Sequence, residues 1–211
     1  MGTLHLGVLA SGRGSNLQSI IDASEKGELD AAVKVVISNN SKAYALERAR
    51  NHGIPAVHLS HKQFETAEAF DQAFLETLSQ YEVELIVLAG YMKLISSRIV
   101  QAYRNRILNI HPALLPSFGG KGMYGIHVHE AVIETGAKIS GVTVHIVDEQ
   151  YDHGPIVLQK AVPVLDKDTP ESLAARILPE EHRAYPEAIQ LFAQKRIRVE
   201  GRRVFTTEGT G

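Results

Sequence analysis

The chain has 211 residues, 44% of them hydrophobic and 22% charged, with 22 Lys and Arg against 24 Asp and Glu for a net charge of −2. Length and composition suit one ordinary globular domain and exclude a disordered, collagen-like or coiled-coil chain, and the balanced charge argues against nucleic-acid binding through bulk charge. Cysteine is absent, which removes disulfides, a thiolate nucleophile and Cys-ligated metals and suits a reducing compartment.

In chain order, Leu4–Leu9 opens as a short buried strand. Residues 1–10 lack the basic n-region of a signal peptide, and no apolar run approaches the roughly 20 residues of a membrane span. A soluble, cytoplasmic protein without a membrane partner is expected. Gly12-Arg13-Gly14-Ser15-Asn16 follows the strand and precedes a helix predicted over Asn16–Lys26, in which Leu17, Ile20 and Ile21 share one face. A glycine-rich strand-to-helix turn aims backbone amides at an anion, and the helix N-terminus adds about half a positive charge. The competing reading is a tight turn capped by Ser15. Neither a dinucleotide fingerprint nor a P-loop is present: the third glycine is missing, Ser38-Asn39-Asn40 stands where an acid should end the second strand, and no Gly-Lys-Ser/Thr follows.

Strands at Val33–Ile37 and Leu85–Ala89 alternate with helices predicted over Ala43–His52 and Ala67–Tyr81. Gly53, and Gly27 after the first helix, are placed for left-handed caps. This alternation predicts an α/β, Rossmann-like fold: a mostly parallel twisted sheet with helices on both faces. Leu88–Ile95 stays apolar beyond the end of its strand, and it either floors a pocket for a flat heterocycle or is buried under the next helix.

Ile107–Ile110 is read as a short strand ending in Asn109-Ile110-His111-Pro112. Positions two apart on a strand face the same side, so Asn109 and His111 project together from the carboxyl edge of the sheet, where open α/β folds bind ligands. The loop 117–125 is glycine-rich. Ile139–Val147 and Ile156–Val164 are long strands joined by a short polar loop, which favours an antiparallel pairing. That loop carries Asp148 and Asp152, and spacing does not choose between them as the partner of a histidine. His127, His129, His145 and His153 lack the spacing of a metal-binding helix, and Ser15 lacks a nucleophile elbow, so no metal and no serine nucleophile are expected. Thr169-Pro170 starts a helix that Pro179 should break or kink near Leu178. Ile197–Phe205 reads as a hairpin turning at Glu200-Gly201. No linker separates independent domains. One domain is expected over 1–211, with an N-terminal lobe over about 1–105 and a C-terminal lobe over about 106–211.

Together these motifs resemble the folate-dependent formyltransferase family, in the branch of the phosphoribosylglycinamide formyltransferases. The resemblance covers roughly residues 4–195. It rests on Gly12–Asn16, Ser38-Asn39, Leu88–Met92, Asn109–Pro116, Gly141–His145, Asp152–Pro155 and Glu181-His182, in the family's order. It implies formyl transfer from 10-formyltetrahydrofolate, a cosubstrate, to the amine of 5-phosphoribosylglycinamide, without a metal and between small molecules alone. It assigns Asn109, His111 and Asp152 to catalysis, which resolves Asp152 over Asp148, with His111 protonated. Gly14, Ser15 and Asn16 would hold the substrate phosphate, and Glu181 its ribose or glycinamide end. Met92, Lys93, Leu94 and Ile95, with Asn109, would hold the folate, and loop 117–126 would lie over the site. Leu178-Pro179 stands where some members carry a polar residue toward the phosphate, and Lys62 is a candidate for the folate glutamate tail. A formyltetrahydrofolate hydrolase, a formyltransferase for another amine and a non-enzymatic phosphometabolite-binding module are the competing functions. Within the family both monomers and homodimers are expected.

Overall fold

The short apolar runs assemble into a seven-stranded sheet in the computed structural model, which describes residues 2–207. Its strands are β1 (Leu4–Leu9), β2 (Ala31–Ser38), β3 (Ala56–His58), β4 (Leu85–Leu88), β5 (Ile107–His111), β6 (Ile139–Ile146) and β7 (Ile156–Pro163), in spatial order β3-β2-β1-β4-β5-β6-β7. The first five pair in parallel, whereas β6 runs antiparallel to both β5 and β7. The expected Rossmann-like α/β sheet is therefore present, and its antiparallel part begins one strand earlier than the sequence suggested.

Among the described residues, six α-helices cover the sheet: α1 (Ser15–Glu25), α2 (Tyr44–Asn51), α3 (Ala67–Gln80), α4 (Ser97–Ala102), α5 (Ile126–Glu134) and α6 (Pro170–Ala193). The strand period of two sorts the core. Leu6 and Val8 of β1 face a cluster with Leu17, Ile20 and Ile21 of α1 and Tyr185 and Ile189 of α6, while Leu9 faces Phe70, Phe74 and Leu78 of α3. The helical stripes read from the sequence are the buried faces. Gly27 and Gly53 carry positive φ just past α1 and α2, as expected of left-handed caps.

Pro179 does not end its helix: α6 runs unbroken through Pro179 and Pro186. An interior proline loses one backbone hydrogen bond and costs about 3 kcal/mol. Here Ala175, whose carbonyl is freed, and Pro179 both lie on the exposed face, open to solvent. Leu173, Ile177, Ala184, Tyr185, Ala188 and Ile189 bury the opposite face. Tertiary packing wins over the local rule.

The tail forms the expected hairpin, β8 (Ile197–Glu200) with β9 (Arg203–Thr206), but Glu200 pairs with Arg203, so the turn is Gly201-Arg202, one residue later than predicted. Gly201 supplies the positive φ the turn needs.

Candidate active site

The Gly12–Asn16 turn joins β1 to α1, and its carbonyls are all held from behind. Gly12 O accepts from Ala45 N at 3.0 Å, Arg13 O from Arg48 Nε at 2.9 Å and Gly14 O from Gln18 N at 3.0 Å. In a trans peptide the N–H points opposite to the preceding C=O, so the same bonds turn the amides of Arg13, Gly14 and Ser15 outward. Among the described residues, the amides of Arg13, Gly14, Ser15 and Asn16 have no acceptor. Gly14 is required here: its φ is 70°, and a Cβ would stand 2.8 Å from the Cβ of Ala45. Gly14, not Ser15, occupies the N-cap, and no side chain caps α1, so the capping reading of Ser15 is replaced by a first-turn position.

Asn16 is buried, and its Nδ2 donates to Glu181 Oε2 of α6 at 2.7 Å, while its Oδ1 is buried without a partner. Burial pushes the Glu181 carboxyl up, and the Asn16 bond opposes that only in part. Both side chains line a cavity of about 600 Å³, within the range of small-molecule sites. The cavity runs from Asn16 and Glu181 past the ends of β4 and β5 to the glycine-rich loop 120–125 and to Gln150–Asp152. A second cavity of about 320 Å³, beside Phe192 and the hairpin, contains no carboxylate or imidazole in its lining.

Asn109 and His111 leave β5 on the same face, as their spacing predicts. Antiparallel pairing with β6 sets His145 opposite Asn109 and Thr143 opposite His111. Asp152 comes from the loop after β6. Its Oδ1 lies 3.4 Å from Asn109 Nδ2 and 3.6 Å from His145 Nε2, and its Oδ2 lies 3.7 Å from His111 Nδ1. The three residues expected to act together meet at one end of the cavity.

The glycine-rich loop closes over them. Phe118 O accepts from His111 Nε2 at 2.8 Å, and Gly120 N donates to Asp152 Oδ2 at 2.9 Å. Since a carbonyl only accepts, Nε2 carries a proton and Nδ1 faces the carboxylate. Burial pulls the His111 ring below its ordinary pKa, and Asp152 and Phe118 restore only part of the loss. Among the described residues, the Asp152 carboxylate facing Nδ1 at 3.7 Å is the one negative group placed to favour a second proton on the ring. Burial raises the Asp152 carboxyl, but His145, His111 and the Gly120 amide together outweigh it and leave the group below its ordinary value.

Two supporting residues carried no assigned role in the sequence reading. His145 is 2% exposed and bridges Asn109 to Asp152, with its Nε2 3.1 Å from Asn109 Nδ2. Thr143 Oγ1 donates to Ala113 O at 2.7 Å and accepts from Leu115 N at 3.0 Å, which fixes the chain as it leaves β5. Both could have been found from the period of two along β6, had its antiparallel neighbour been known. The other histidines disperse: His127 pairs with Glu130, and His153 with Asp148.

All of Met92–Ile95 line the cavity, Met92 and Leu94 about half exposed, whereas Ile95 is also buried in the core on the α3–α4 side. Met92 N donates to Ser11 Oγ at 2.8 Å, and Ser11 Oγ reaches Asn39 Oδ1, which ties this segment to the ends of β1 and β2.

Residues 4–189 match the family described as Formyl transferase. A chloroplastic phosphoribosylglycinamide formyltransferase of Vigna unguiculata is 47% identical over 192 residues, 91% of this chain and 62% of the relative. The phosphoribosylglycinamide formyltransferase of Escherichia coli (strain K12) is 39% identical over 196 residues, 93% of this chain and 90% of the relative. The crystal structure of glycinamide ribonucleotide transformylase 1 from Symbiobacterium toebii superposes with a TM-score of 0.91 at 48% identity, covering 98% of this chain and 95% of that one. The chain spans slightly less than two thirds of the plant relatives, 62% and 66% of their lengths. This chain belongs to the formyl transferase family. Within that family its similarity runs to the phosphoribosylglycinamide formyltransferases of bacteria and plants.

Proposed function

We propose that this chain transfers the formyl group of 10-formyltetrahydrofolate to the amine of 5-phosphoribosylglycinamide, a step of de novo purine biosynthesis. The observation that carries the reading is the single cavity that has Asn109, His111 and Asp152 at one end and Asn16 with Glu181 at the other. The phosphate rests on the free amides of Arg13 to Asn16 beside that cavity, and Glu181 meets the ribose. The folate head lies along Met92–Ile95 and Asn109 under the glycine-rich loop. In this reading residues 1–105 form the phosphate-holding lobe and 106–211 the catalytic lobe of one domain, acting in the cytoplasm on small molecules alone.

The neutral amine attacks the formyl carbon, the C=O electrons move to oxygen, and a tetrahedral oxyanion forms with a positive amine nitrogen. Asn109 Nδ2 donates to that oxyanion. His111, protonated beside the Asp152 carboxylate, donates to the same oxygen and keeps its proton throughout. Asp152, held ionised by its neighbours, accepts the proton that the amine sheds and returns it, directly or through water, to the folate nitrogen as the C–N bond breaks. Formylated substrate and tetrahydrofolate leave, and no metal takes part.

The test follows the absorbance change of folate deformylation with and without 5-phosphoribosylglycinamide. Turnover that depends on the ribonucleotide and yields its formyl amide supports the reading. Formate release without it identifies a hydrolase, dependence on another amine identifies a different transferase, and binding without turnover identifies a phosphometabolite-binding module.

A further inference from the structure

Asp152 sits on a backbone that does not hold itself. Its φ is 51°, in the left-handed region that residues other than glycine seldom adopt, within the short loop between β6 and β7. Its carboxylate stands 3.7 Å from His111 Nδ1 and 3.4 Å from Asn109 Nδ2, so small displacements of the loop decide whether these groups engage.

We infer that Arg202, in the hairpin turn outside the main sheet, is a positioning residue for this reaction, gripping His153 and thereby the loop that presents Asp152. The inference rests on the formyl-transfer reading of the site. Arg202 Nη1 lies 2.7 Å from His153 Nε2, and Nη2 donates to His153 O at 2.8 Å. A guanidinium has only donors and stays protonated, so Nε2 must be the acceptor. The other ring nitrogen then carries the proton and donates to Asp148 Oδ2 at 2.6 Å, while Asp148 Oδ1 accepts from Gln150 N at 2.9 Å. Arg202, His153 and Asp148 thus form one directed chain of hydrogen bonds that fixes both the ring and the carbonyl of the residue next to Asp152.

The loop is also pinned where it enters β7. Ile146 N donates to Pro155 O at 2.8 Å, and a Cβ on Gly154 would run into the Ile146 carbonyl. Gly120 N holds the Asp152 carboxylate from the lid side, and the hairpin holds the next residue, His153, by ring and carbonyl from the other. Arg202 is exposed and outside the hydrophobic clusters, so its loss should spare the fold and the phosphate end of the cavity.

The experiment measures kcat, both KM values, the dissociation constant of 5-phosphoribosylglycinamide and the thermal midpoint for Arg202→Ala, His153→Ala and the double variant. Arg202→Lys, which keeps the charge but not the two-pronged donor set, is the milder member. For Arg202→Ala we expect kcat to fall about 10-fold, in the direction of the ~100-fold that an ångström of misplacement costs, with ribonucleotide affinity and thermal midpoint little changed. Arg202→Lys should fall between the unaltered protein and Arg202→Ala, and the double variant should lose less than the two single losses combined, since only the bond to the His153 carbonyl remains to be lost in the His153→Ala background. An unchanged kcat, a full further loss from Arg202→Ala in the His153→Ala background, or a loss matched by falling midpoint and affinity would each overturn the inference. Absence of transfer by the unaltered protein would instead remove the reading of the site, and the inference with it.

Discussion

His145 stands directly across the β5–β6 ladder from Asn109, its Nε2 3.1 Å from the carboxamide nitrogen and 3.6 Å from Asp152. This buried ring donates through Nδ1 to Ile146 O at 3.0 Å, so Nε2 accepts one hydrogen of Asn109 and sets the direction of the other, beside the Asp152 carboxylate. Replacing it by alanine leaves the amide free to rotate and Asp152 with one neighbour fewer. We expect His145→Ala to lower kcat by about 10- to 100-fold, less than the ~10²–10³-fold of losing an oxyanion donor outright in Asn109→Ala, with ribonucleotide affinity retained. Steady-state kinetics on the two variants decide the order, and equal or reversed losses would contradict it.

In the proposed reaction His111→Ala removes one of the two donors to the oxyanion. Turnover should drop by about 10²–10³-fold, while the dissociation constant of 5-phosphoribosylglycinamide stays close to that of the unaltered protein, because the amides proposed to hold the phosphate lie on the β1–α1 turn. Near-normal turnover in this variant would sink the role given to His111.

Arg48 donates to Arg13 O and, through Nη1, to Gln18 Oε1 at 2.9 Å, with its guanidinium 4.8 Å from the centre of the Tyr44 ring. It holds one of the three carbonyls whose peptides aim amides outward. Loss of a charged donor is worth about 1.5–3 kcal/mol, so Arg48→Ala should weaken ribonucleotide binding by roughly 10- to 100-fold and leave the KM for folate and kcat nearly unchanged. Titration calorimetry with 5-phosphoribosylglycinamide measures the change, and unaltered affinity would show that the turn keeps its shape unaided.

Glu181 is pushed up by burial, so above its folded pKa the fold carries an ionised carboxyl that it disfavours. Glu181→Gln keeps an acceptor for Asn16 Nδ2 and removes that cost. At about pH 8 the free protein should melt at a higher temperature, while its affinity for the ribonucleotide falls because a neutral acceptor bonds hydroxyls less strongly. A lower melting temperature would reverse the assignment of the carboxyl as a strained group.

Burial lowers the pKa of His111, His129 and His182 from the ordinary value of 6.5. Below that value the unfolded chain binds protons that the fold resists, so stability is full above it and declines as the pH falls toward the folded values. Asp152, also lowered, adds a further loss at more acid pH, whereas Glu181, raised, acts in the opposite sense. Urea unfolding at about pH 7.5 and about pH 5.5 should give the smaller stability at the lower pH, and His129→Gln should narrow the gap. Equal stabilities at the two values would refute the account.

Much of this could be read from local order. Leu4–Leu9 and the 3.6-residue stripes of α1 and α3 announce themselves because a buried strand or amphipathic helix needs its pattern within one segment. The spacing of Asn109 and His111 implies a shared face for the same reason, and Gly14 is demanded by a backbone angle. Other features depend on partners far along the chain. The antiparallel seating of β6 brings His145 opposite Asn109, α6 continues through Pro179 because its far face is buried, and Phe118 and Gly120 reach His111 and Asp152 with backbone atoms that no residue type reveals. The charge on His111 belongs to this second group. A side chain's type sets its reference pKa, but burial and neighbours brought together by folding decide which proton it holds.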